Sequence, residues 1–330
     1  MLKKILSILV LLSVTFSLAG AQDTTVLFQV VSSEPIVAHG SDWDSRYTDP
    51  GAVVYHDGQF HMFRNGFKDW PASVEIGYVT SDDGVSWTKV GDEPIMMTKD
   101  VSYAKIAALA SSVLVRDDGT WVMYFYTWND RNGPFAKGAI GRATAPAPSG
   151  PWTPDIAPVL EAGEKGAWDE LQVAVPSVVK TDDGYVMYYT GANKAQVGQM
   201  GRATSADGIT WVKDDEPVFS ATGNTGDFDS LAIYQPSVVK TENGWVMLYK
   251  GISNRNYRSL PNGLALSEDG IHWTRYSDNP VLTVDIIAEG DGLWFTNLLY
   301  QDSTYYLFFE LGINRQTNIY LATHKGALAN

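Results

Sequence analysis

The sequence predicts an all-β protein, a five-bladed β-propeller whose blades each contain four strands. Three observations lead to this prediction: a strand, turn and strand pattern recurs along the chain, apolar residues alternate with a period of two, and prolines return at a regular interval. The prolines that mark the interval lie 59 to 64 residues apart, at Pro35, Pro94, Pro158, Pro217 and Pro280. A repeat of about 60 residues with four short strands is typical of one propeller blade, and the period-two alternation excludes helical repeats.

The repeat is clearest in the middle of the chain. Two copies read VPSVVKTDDGYVMYYTGAN from Val175 and QPSVVKTENGWVMLYKGIS from Gln235. More diverged copies begin at Asp49 and Ala110, and a fifth begins near Phe295. In most copies the first two strands are joined by Asp-Gly or Asn-Gly, pairs that favour a tight hairpin turn.

The ring of blades is expected to close through the N-terminal segment. Pro35 precedes the first complete copy, whereas the fifth copy ends at NIYLATHKG without the proline-bearing fourth strand. We therefore expect residues from about 24 to 38 to pair with the strand near Asn318 to Ala322 and to complete the last blade, which removes an exposed sheet edge. Residues 22–330 then form a single propeller domain.

The N-terminus has the order of a secretory signal peptide. Two lysines precede an apolar run from Ile5 to Leu18, and small residues ending at Ala21 follow. We expect residues 1–21 to be a signal peptide that is cleaved before Gln22, so that the protein is secreted or periplasmic. The alternative, a membrane anchor, needs a longer span of about 20 apolar residues.

Composition and charge exclude several classes of function. The chain has 24 lysines and arginines against 38 aspartates and glutamates, and its net charge of -14 repels nucleic acids and anionic membranes. It has no cysteine, and therefore no disulfide, thiol nucleophile or thiolate metal site. The five histidines are scattered, and the sequence has no glycine-rich phosphate loop. We expect a monomer without a metal or other cofactor, and neither nucleic acid nor membrane as a partner.

The third and fourth strands are joined by turns of a second kind. These turns read SDDGVSW, SADGITW and SEDGIHW, and we expect their aspartates to accept hydrogen bonds from turn amides and their tryptophans to pack between blades. They share a face with the tight hairpins, whereas the longer loops, where function is expected, lie on the opposite face. The aromatic residues assigned to the loop face include Trp43, Trp70, Trp128, Trp168, Trp294 and Tyr234. Such rings either stack on sugar rings or seal the interfaces between blades.

Asp49 is the first candidate for catalysis. It is the first residue of strand one in blade one, beside the central channel, where the other four blades carry residues that cannot ionise. With few like-charged neighbours, it should remain ionised near neutral pH and serve as a base or nucleophile. The alternative is a turn cap, because Asp-Pro is common in turns.

This combination resembles the five-bladed propeller glycoside hydrolases, which include arabinanases and β-xylosidases (family 43), invertases and levansucrases (families 32 and 68) and mannoside phosphorylases (family 130). The resemblance covers residues 22–330 and depends on the five repeats, on Asp49-Pro50, on LASSV at Leu109 to Val113 and on the tryptophan turns. It implies a blade-one aspartate as base or nucleophile, a blade-three aspartate that holds the sugar and a blade-four glutamate as general acid.

One of these three positions is acidic in this chain. Asp49 matches the blade-one aspartate, but Val175 stands at the blade-three position. Tyr234 and Gln235 stand at the blade-four position. The acid must therefore come from elsewhere on the loop face.

Glu310 and Glu170 are the substitutes for the missing acid. Glu310 ends strand two of blade five in the apolar run YYLFFELG, where partial desolvation would raise its pKa, as a general acid requires. The alternative is an ion pair between Glu310 and Arg315 or Arg64. Glu170 lies in the loop before blade three.

An aromatic residue followed by aspartate recurs before blades one, three and four, at Trp43-Asp44, Trp168-Asp169 and Phe228-Asp229. Repetition argues for a structural role, and we expect a hydrogen-bond motif that links blades. Because these residues lie on the loop face, they also belong to the candidates for substrate binding. The full set of these candidates is Trp43, Asp44, Arg64, Trp128, Trp168, Asp169, Asp229, Tyr234, Gln235 and Trp294.

The sequence therefore predicts a secreted glycoside hydrolase that acts on a poly- or oligosaccharide, with Asp49 as base or nucleophile and Glu310 or Glu170 as acid. The alternative is a non-catalytic carbohydrate-binding propeller that has lost the catalytic triad, and a structural or protein-binding propeller is a third option. The arrangement of carboxylates discriminates between them, since hydrolysis needs two within about 5 to 10 Å across a cleft.

Overall fold

The described residues form five antiparallel sheets, which confirms the predicted five-bladed propeller. A computed structural model of the chain describes residues 26–69, 72–131, 135–254, 260–287 and 290–328. The first strands of successive blades contact one another in cyclic order and therefore surround the propeller axis. Within the described ranges, no helix has the length and apolar character needed to span a bilayer.

The strands of each blade follow one another in sequence from the axis outwards. Blade one contains β2 (Tyr47–His56), β3 (Gln59–Phe67), β4 (Glu75–Ser81) and β5 (Thr88–Lys89), with β6 (Met96–Met97) beside β4; blade two contains β7 (Ala107–Val115), β8 (Trp121–Trp128), β9 (Ile140–Ala145) and β10 (Thr153–Pro154). Blade three contains β11 (Gln172–Thr181), β12 (Gly184–Ala192), β13 (Gly198–Ser205) and β14 (Val212–Lys213); blade four contains β15 (Ala232–Thr241), β16 (Gly244–Ile252), β17 (Asn262–Ser267) and β18 (Thr274–Arg275). Blade five contains β19 (Gly292–Gln301), β20 (Thr304–Ile313), β21 (Gln316–Lys325) and, on its outer edge, β1 (Gln29–Val30).

The N-terminal strand closes the ring, as the proline register predicted. β1 runs antiparallel to β21 and places Val30 opposite Ala322, and a bridge joins Val37 to Ile319. Phe28, which precedes β1, is fully buried in the apolar core of blades four and five. The first and last parts of the chain therefore share one sheet.

Removing this closing strand is expected to destabilise the whole propeller. A chain that begins at Ser41 lacks β1 and the buried side chain of Phe28, and loss of one buried phenylalanine alone costs about 3 to 5 kcal/mol. Urea unfolding of this chain should have a lower midpoint than that of a chain that begins at Gln22. Equal midpoints would contradict the closure.

The tryptophan turns have the structure that the sequence predicts. The Asp83 carboxylate accepts hydrogen bonds from the amides of Val85 (2.8 Å) and Ser86 (2.7 Å), and these bonds lower the pKa of Asp83 to about 2. Trp87 packs edge-on against Phe308 of the neighbouring blade, with ring centroids 5.9 Å apart. Asp207 and Asp269 accept the same amide bonds, and Trp152, Trp211 and Trp273 likewise pack on an aromatic ring of the preceding blade.

A ladder of serines joins the inner strands of neighbouring blades. Ser112 Oγ accepts the amide of Val178 at 3.0 Å, and this residue is the second serine of the LASSV segment. Ser177 and Ser237 make the same bond to Val238 (2.9 Å) and Leu298 (2.8 Å) in the next blade. The serines of blades two, three and four therefore fix the register of each inner strand against the next blade.

The innermost strand of every blade contains a β-bulge close to the axis. In blade one the pairing between β2 and β3 shifts between Asp49 and Ala52, and Gly51 takes a positive φ of 49° there. Val175 and Gln235 occupy the equivalent bulges with φ of 50° and 56°, a conformation that is strained for residues other than glycine. Bulges re-aim side chains, and all five lie near the start of strand one.

Candidate active site

One buried polar side chain from each blade forms a ring around the channel. Each lies on strand two, three residues after a fully buried methionine or leucine of the repeat: Asn65, Tyr126, Thr190, Lys250 and Glu310. None of these five residues is more than 3% exposed. Strand one adds two buried residues by direct pairing, because Asp49 lies opposite Asn65 and Tyr234 lies opposite Lys250.

Asp49 is fully buried and held in a fixed orientation. Its Oδ1 atom accepts hydrogen bonds from the side-chain amide of Asn65 (2.9 Å) and from the backbone amide of Gly51 (2.8 Å). Asn65 is fixed in turn because its side chain also bonds both backbone groups of Ala110 in blade two, at 2.8 and 3.1 Å. The second oxygen, Oδ2, has no hydrogen-bond partner within the described residues.

Burial raises the pKa of Asp49 to about 7, against the effects of its two hydrogen-bond donors and of the charges of Arg64 and Lys250. Burial therefore opposes the ionisation that the sequence predicts for this carboxyl group near neutral pH. The residue types at the equivalent positions of the other blades suggested that Asp49 is a lone carboxylate in a polar channel. The Asp49 side chain has no exposed surface, however, and it therefore loses the hydration that stabilises its ionised form. A raised pKa still suits a base that works near neutral pH.

Glu310 is 3% exposed and accepts the backbone amide of Phe295 at 3.2 Å. Burial raises its pKa to about 8, the nearby Asp49 charge raises it further, and Thr317, Phe295 and Lys250 act in the opposite direction. The ion pair considered as an alternative does not form in the described structure, since Arg64 pairs with Asp44 instead, at 2.5 Å. The predicted elevation of the Glu310 pKa by desolvation is confirmed.

Lys250 is the residue that sequence reasoning missed. Its side chain is 2% exposed, and burial lowers its pKa to about 7 against the attraction of Glu310 and Asp49. Its Nζ atom has no hydrogen-bond partner among the described residues. The sequence could have identified Lys250, because it occupies the same position of the repeat as Glu310 and interrupts the apolar run WVMLYKGI.

Further unpartnered polar atoms surround this charged trio of Asp49, Glu310 and Lys250. Gln235 bonds Thr296 of blade five through Nε2 (3.1 Å), and its Oε1 atom has no partner within the described residues. The hydroxyls of Tyr126 and Tyr234 are also buried without a partner there. A buried polar atom without a hydrogen-bond partner costs about 1 to 3 kcal/mol. A ligand rich in hydroxyl groups would supply partners for these atoms, and they therefore favour such a ligand. The described residues contain no group of three or more side chains placed to hold a metal ion.

The aromatic-aspartate pair before blade one anchors a loop. Asp44 is 2% exposed and forms its salt bridge with Arg64, whose guanidinium lies 4.7 Å from the ring centre of Trp43. Arg64 also donates to Thr48 Oγ1 at 3.1 Å. Trp43 is 8% exposed and packs on Gly66 at a distance that a Cβ atom would not allow.

The other two pairs also form salt bridges, but with cations on the fourth strands of their blades. Asp169 pairs with Lys213 at 2.7 Å, and Asp229 pairs with Arg275 at 2.8 Å. Each cation also donates to a backbone carbonyl directly after the preceding blade, Lys213 to Glu161 and Arg275 to Ser220. These bonds agree with the expected motif that links blades.

Glu170 lies apart from the channel. Its carboxylate accepts the amide of Gly166 (2.8 Å) and pairs with Lys194 (3.1 Å), and these contacts lower its pKa. It lines a groove of about 720 Å³ beside Trp168, whose side chain is half-buried. A carboxylate with a lowered pKa is poorly suited to hold a proton for a leaving group.

The remaining aromatic candidates differ in exposure. Trp128 is 5% exposed and its ring centre lies 6.4 Å from that of Phe295, whereas Trp294 is 38% exposed. Trp294 and Phe295 form the bulge of β19, and the amide of Phe295 binds Glu310. Trp294 is therefore an exposed aromatic residue that directly precedes a ligand of Glu310 in the chain, while Trp70 lies outside the described residues.

Comparison with known families agrees with this geometry. The family model of the glycosyl hydrolases family 32 N-terminal domain matches residues 44–226 and, in an overlapping second match, residues 177–289. The chain belongs to this family. The matched region contains Asp49 and Lys250, whereas Glu310 and Trp294 lie beyond its end.

Individual relatives of this family 32 domain are distant in sequence but similar in fold. The chain is 22% identical to a 1,2-beta-oligomannan phosphorylase of Thermoanaerobacter sp. (strain X514), over 82% of this chain and 88% of that protein. It matches the solved structure of a glycoside hydrolase with a TM-score of 0.72 and 18% identity, covering 92% of this chain and 94% of the other. A glycosyl hydrolase from Bacteroides ovatus matches with a TM-score of 0.69 and 19% identity, covering 92% and 96% of the two chains.

Proposed function

We propose that this chain hydrolyses glycosidic bonds in a poly- or oligosaccharide, with Asp49 as the base or nucleophile and Glu310 as the general acid. The observation that carries the proposal is the buried pair itself: two carboxyl groups, each with a raised pKa, interact electrostatically at the propeller axis. Membership of a glycosyl hydrolase family supports the same reaction class. The similarity to an oligomannan phosphorylase supports an oligosaccharide as the substrate.

Hydrogen bonding distinguishes the roles of the two carboxyl groups in this proposal. Two donors bond the Oδ1 atom of Asp49 at 2.8 and 2.9 Å, whereas Glu310 accepts the amide of Phe295 at 3.2 Å. Burial raises the pKa of both groups, and we assign the charge to Asp49 and the proton to Glu310 because the ionised form of Asp49 is better stabilised by hydrogen bonds. Glu310 gives its proton to the departing glycosidic oxygen as the bond to the anomeric carbon breaks. Asp49 either takes a proton from the water that attacks the anomeric carbon, or attacks that carbon itself. In the second case water then hydrolyses the covalent glycosyl intermediate, and the Glu310 carboxylate takes the proton of that water.

Activity screening tests this proposal. The purified chain is assayed on aryl glycosides and oligosaccharides of different sugars and linkages, and released reducing ends are measured. We expect release from at least one substrate class. Binding of a sugar without any release would favour the carbohydrate-binding propeller instead.

Replacing Trp294 with alanine is expected to weaken sugar binding by about 1 to 3 kcal/mol, because it is an exposed aromatic ring in the bulge whose Phe295 amide binds Glu310. Tryptophan emission should shift when the sugar binds to the unchanged protein. Titration with the best oligosaccharide measures the affinity, and Ile156→Ala serves as the control, since this side chain is 94% exposed in blade two. An unchanged affinity for Trp294→Ala would remove this ring from the binding site.

We further propose that the protein is a secreted or periplasmic monomer. The support is the order of charged, apolar and small residues in residues 1–21, which lie outside the described residues. Mass spectrometry of protein secreted from the native host should give a chain that begins at Gln22. A chain that retains Met1 would contradict the proposal.

A further inference from the structure

We propose that Lys250 is a positioning residue that keeps Asp49 ionised while Glu310 holds the proton. The inference rests on the proposed function of this carboxyl pair. It starts from the ring of equivalent positions, in which the repeat places a cation in blade four and an acid in blade five.

The placement of Lys250 has no evident structural purpose. It is 2% exposed, it lies opposite Tyr234 of β15 and Asn262 of β17, and its Nζ atom bonds to none of the described residues. A buried ammonium group without hydrogen bonds costs free energy, whereas Thr190 fills the equivalent position of blade three with a hydrogen bond to Gln235. Buried charged groups that cost folding free energy in this way are typical of functional sites, where the charge takes part in the function.

The charges around Asp49 and Glu310 indicate the function of the Lys250 charge. Two cations lower the pKa of Asp49, namely Arg64 and, with a smaller effect, Lys250. Arg64 is held in its salt bridge to Asp44, whereas the Nζ atom of Lys250 has no hydrogen-bond partner among the described residues. Lys250 acts on both carboxyl groups, lowers the pKa of each and is attracted by each in return.

The other titratable groups of the ring do not compete for these protons. Burial raises the pKa of Tyr126 and of Tyr234 far above neutral pH, so both phenols keep their protons. Near neutral pH the protons are therefore shared among Asp49, Glu310 and Lys250. With Lys250 protonated and one carboxylate ionised, the net charge of the trio is zero.

The same arrangement explains why Asp49 is the carboxyl group that ionises. Its Oδ1 atom receives two hydrogen bonds of 2.8 and 2.9 Å, whereas Glu310 receives the longer bond of 3.2 Å from Phe295. Without the ammonium group, the buried pair would keep both protons to a higher pH. Asp49 would then be protonated and inactive as a base at neutral pH.

The test compares the pH dependence of kcat/KM in four proteins: the unchanged chain, Lys250→Met, Lys250→Arg and Lys240→Met. Methionine keeps the length of the side chain and removes its charge, so both limbs of the profile should move up by about one pH unit or more. On the acid limb, a shift of one unit lowers the rate about tenfold. Arginine should restore the original limbs, and Lys240→Met, an exposed lysine of the same blade, should leave them unchanged.

A substrate-free measurement accompanies the kinetics. Carbon NMR of the unchanged chain, labelled at lysine Cε and at the aspartate and glutamate carboxyl carbons, follows the three groups directly. We expect Lys250, Asp49 and Glu310 to titrate together near neutral pH. A Lys250 signal that titrates alone near its ordinary pKa of about 10.4 would overturn the proposal, whether or not Lys250→Met folds.

The outcomes separate this proposal from the proposed function. Folded Lys250→Met with the pH limbs of the unchanged chain would show that Lys250 does not distribute the proton, while hydrolysis by the pair would stand. Absence of hydrolysis by the unchanged chain on every substrate would instead overturn the proposed function.

Discussion

Asp49→Asn is expected to lower turnover by about 10²- to 10⁴-fold or more while leaving the fold and the sugar affinity nearly intact. Asparagine keeps the shape of the side chain and can still accept the bonds of Asn65 and Gly51 through its oxygen. It cannot ionise, and it therefore cannot act as a base or nucleophile. Because Asp49 already carries a raised pKa in the folded protein, loss of its charge should not destabilise the propeller.

The measurement compares kcat with the affinity for an uncleaved oligosaccharide in the same protein. Asp57→Asn is the matched control, since this aspartate lies in the hairpin turn of the same blade with an 88% exposed side chain and tolerates the same change. If Asp49→Asn kept most of its rate while the control behaved normally, catalysis would have to be sought at Asp169, Glu170 or Asp229.

Glu310→Gln is expected to have an effect that depends on the leaving group. Substrates with a poor leaving group, such as an unactivated sugar, should lose about 10²- to 10⁴-fold in kcat/KM because no acid protonates the departing oxygen. Aryl glycosides with an acidic phenol should lose far less, since that phenolate leaves without a proton. Glu170→Gln is the informative comparison, because its lowered pKa predicts no such dependence.

The pH dependence of kcat/KM is a second test of the role of Glu310 with the same variant. The unchanged chain should show a bell-shaped kcat/KM, because Asp49 must be ionised and Glu310 must be protonated, and both limbs should lie above the ordinary pKa range of carboxyl groups because burial raises the pKa of both. Glu310→Gln should lose the alkaline limb and keep the acid limb. An alkaline limb that persists in Glu310→Gln, or a leaving-group effect that appears in Glu170→Gln instead, would move the acid to another residue.

The fold could be predicted from the sequence because its determinants are local and repeated. The prolines recur at a nearly constant interval, and each tryptophan turn closes on its own aspartate, as Asp83 shows. Ring closure followed from the absence of a fourth strand after NIYLATHKG. These features need no knowledge of which residues meet across the propeller.

The site could be predicted in part. Asp49 and Glu310 stood out as acids in otherwise apolar or turn contexts, and the structure brings them together. The partner of Asp169 could not be predicted, because Lys213 follows it by more than 40 residues and only the blade geometry brings the two together at 2.7 Å. The raised pKa of Asp49 likewise depends on a burial that one strand does not reveal. Lys250 could have been found by aligning the copies, which places it at the repeat position of Glu310.

The most direct measurement of hydrolysis by the Asp49 and Glu310 pair is the incorporation of water oxygen into the products. Cleavable oligosaccharides from the screen are incubated with the chain in water enriched in ¹⁸O, and the new reducing ends are analysed by mass spectrometry. The account predicts one ¹⁸O atom at the anomeric carbon for each bond cleaved by the unchanged chain, and almost none with Asp49→Asn. Oligosaccharides that bind without cleavage, or products formed equally by Asp49→Asn, would contradict it.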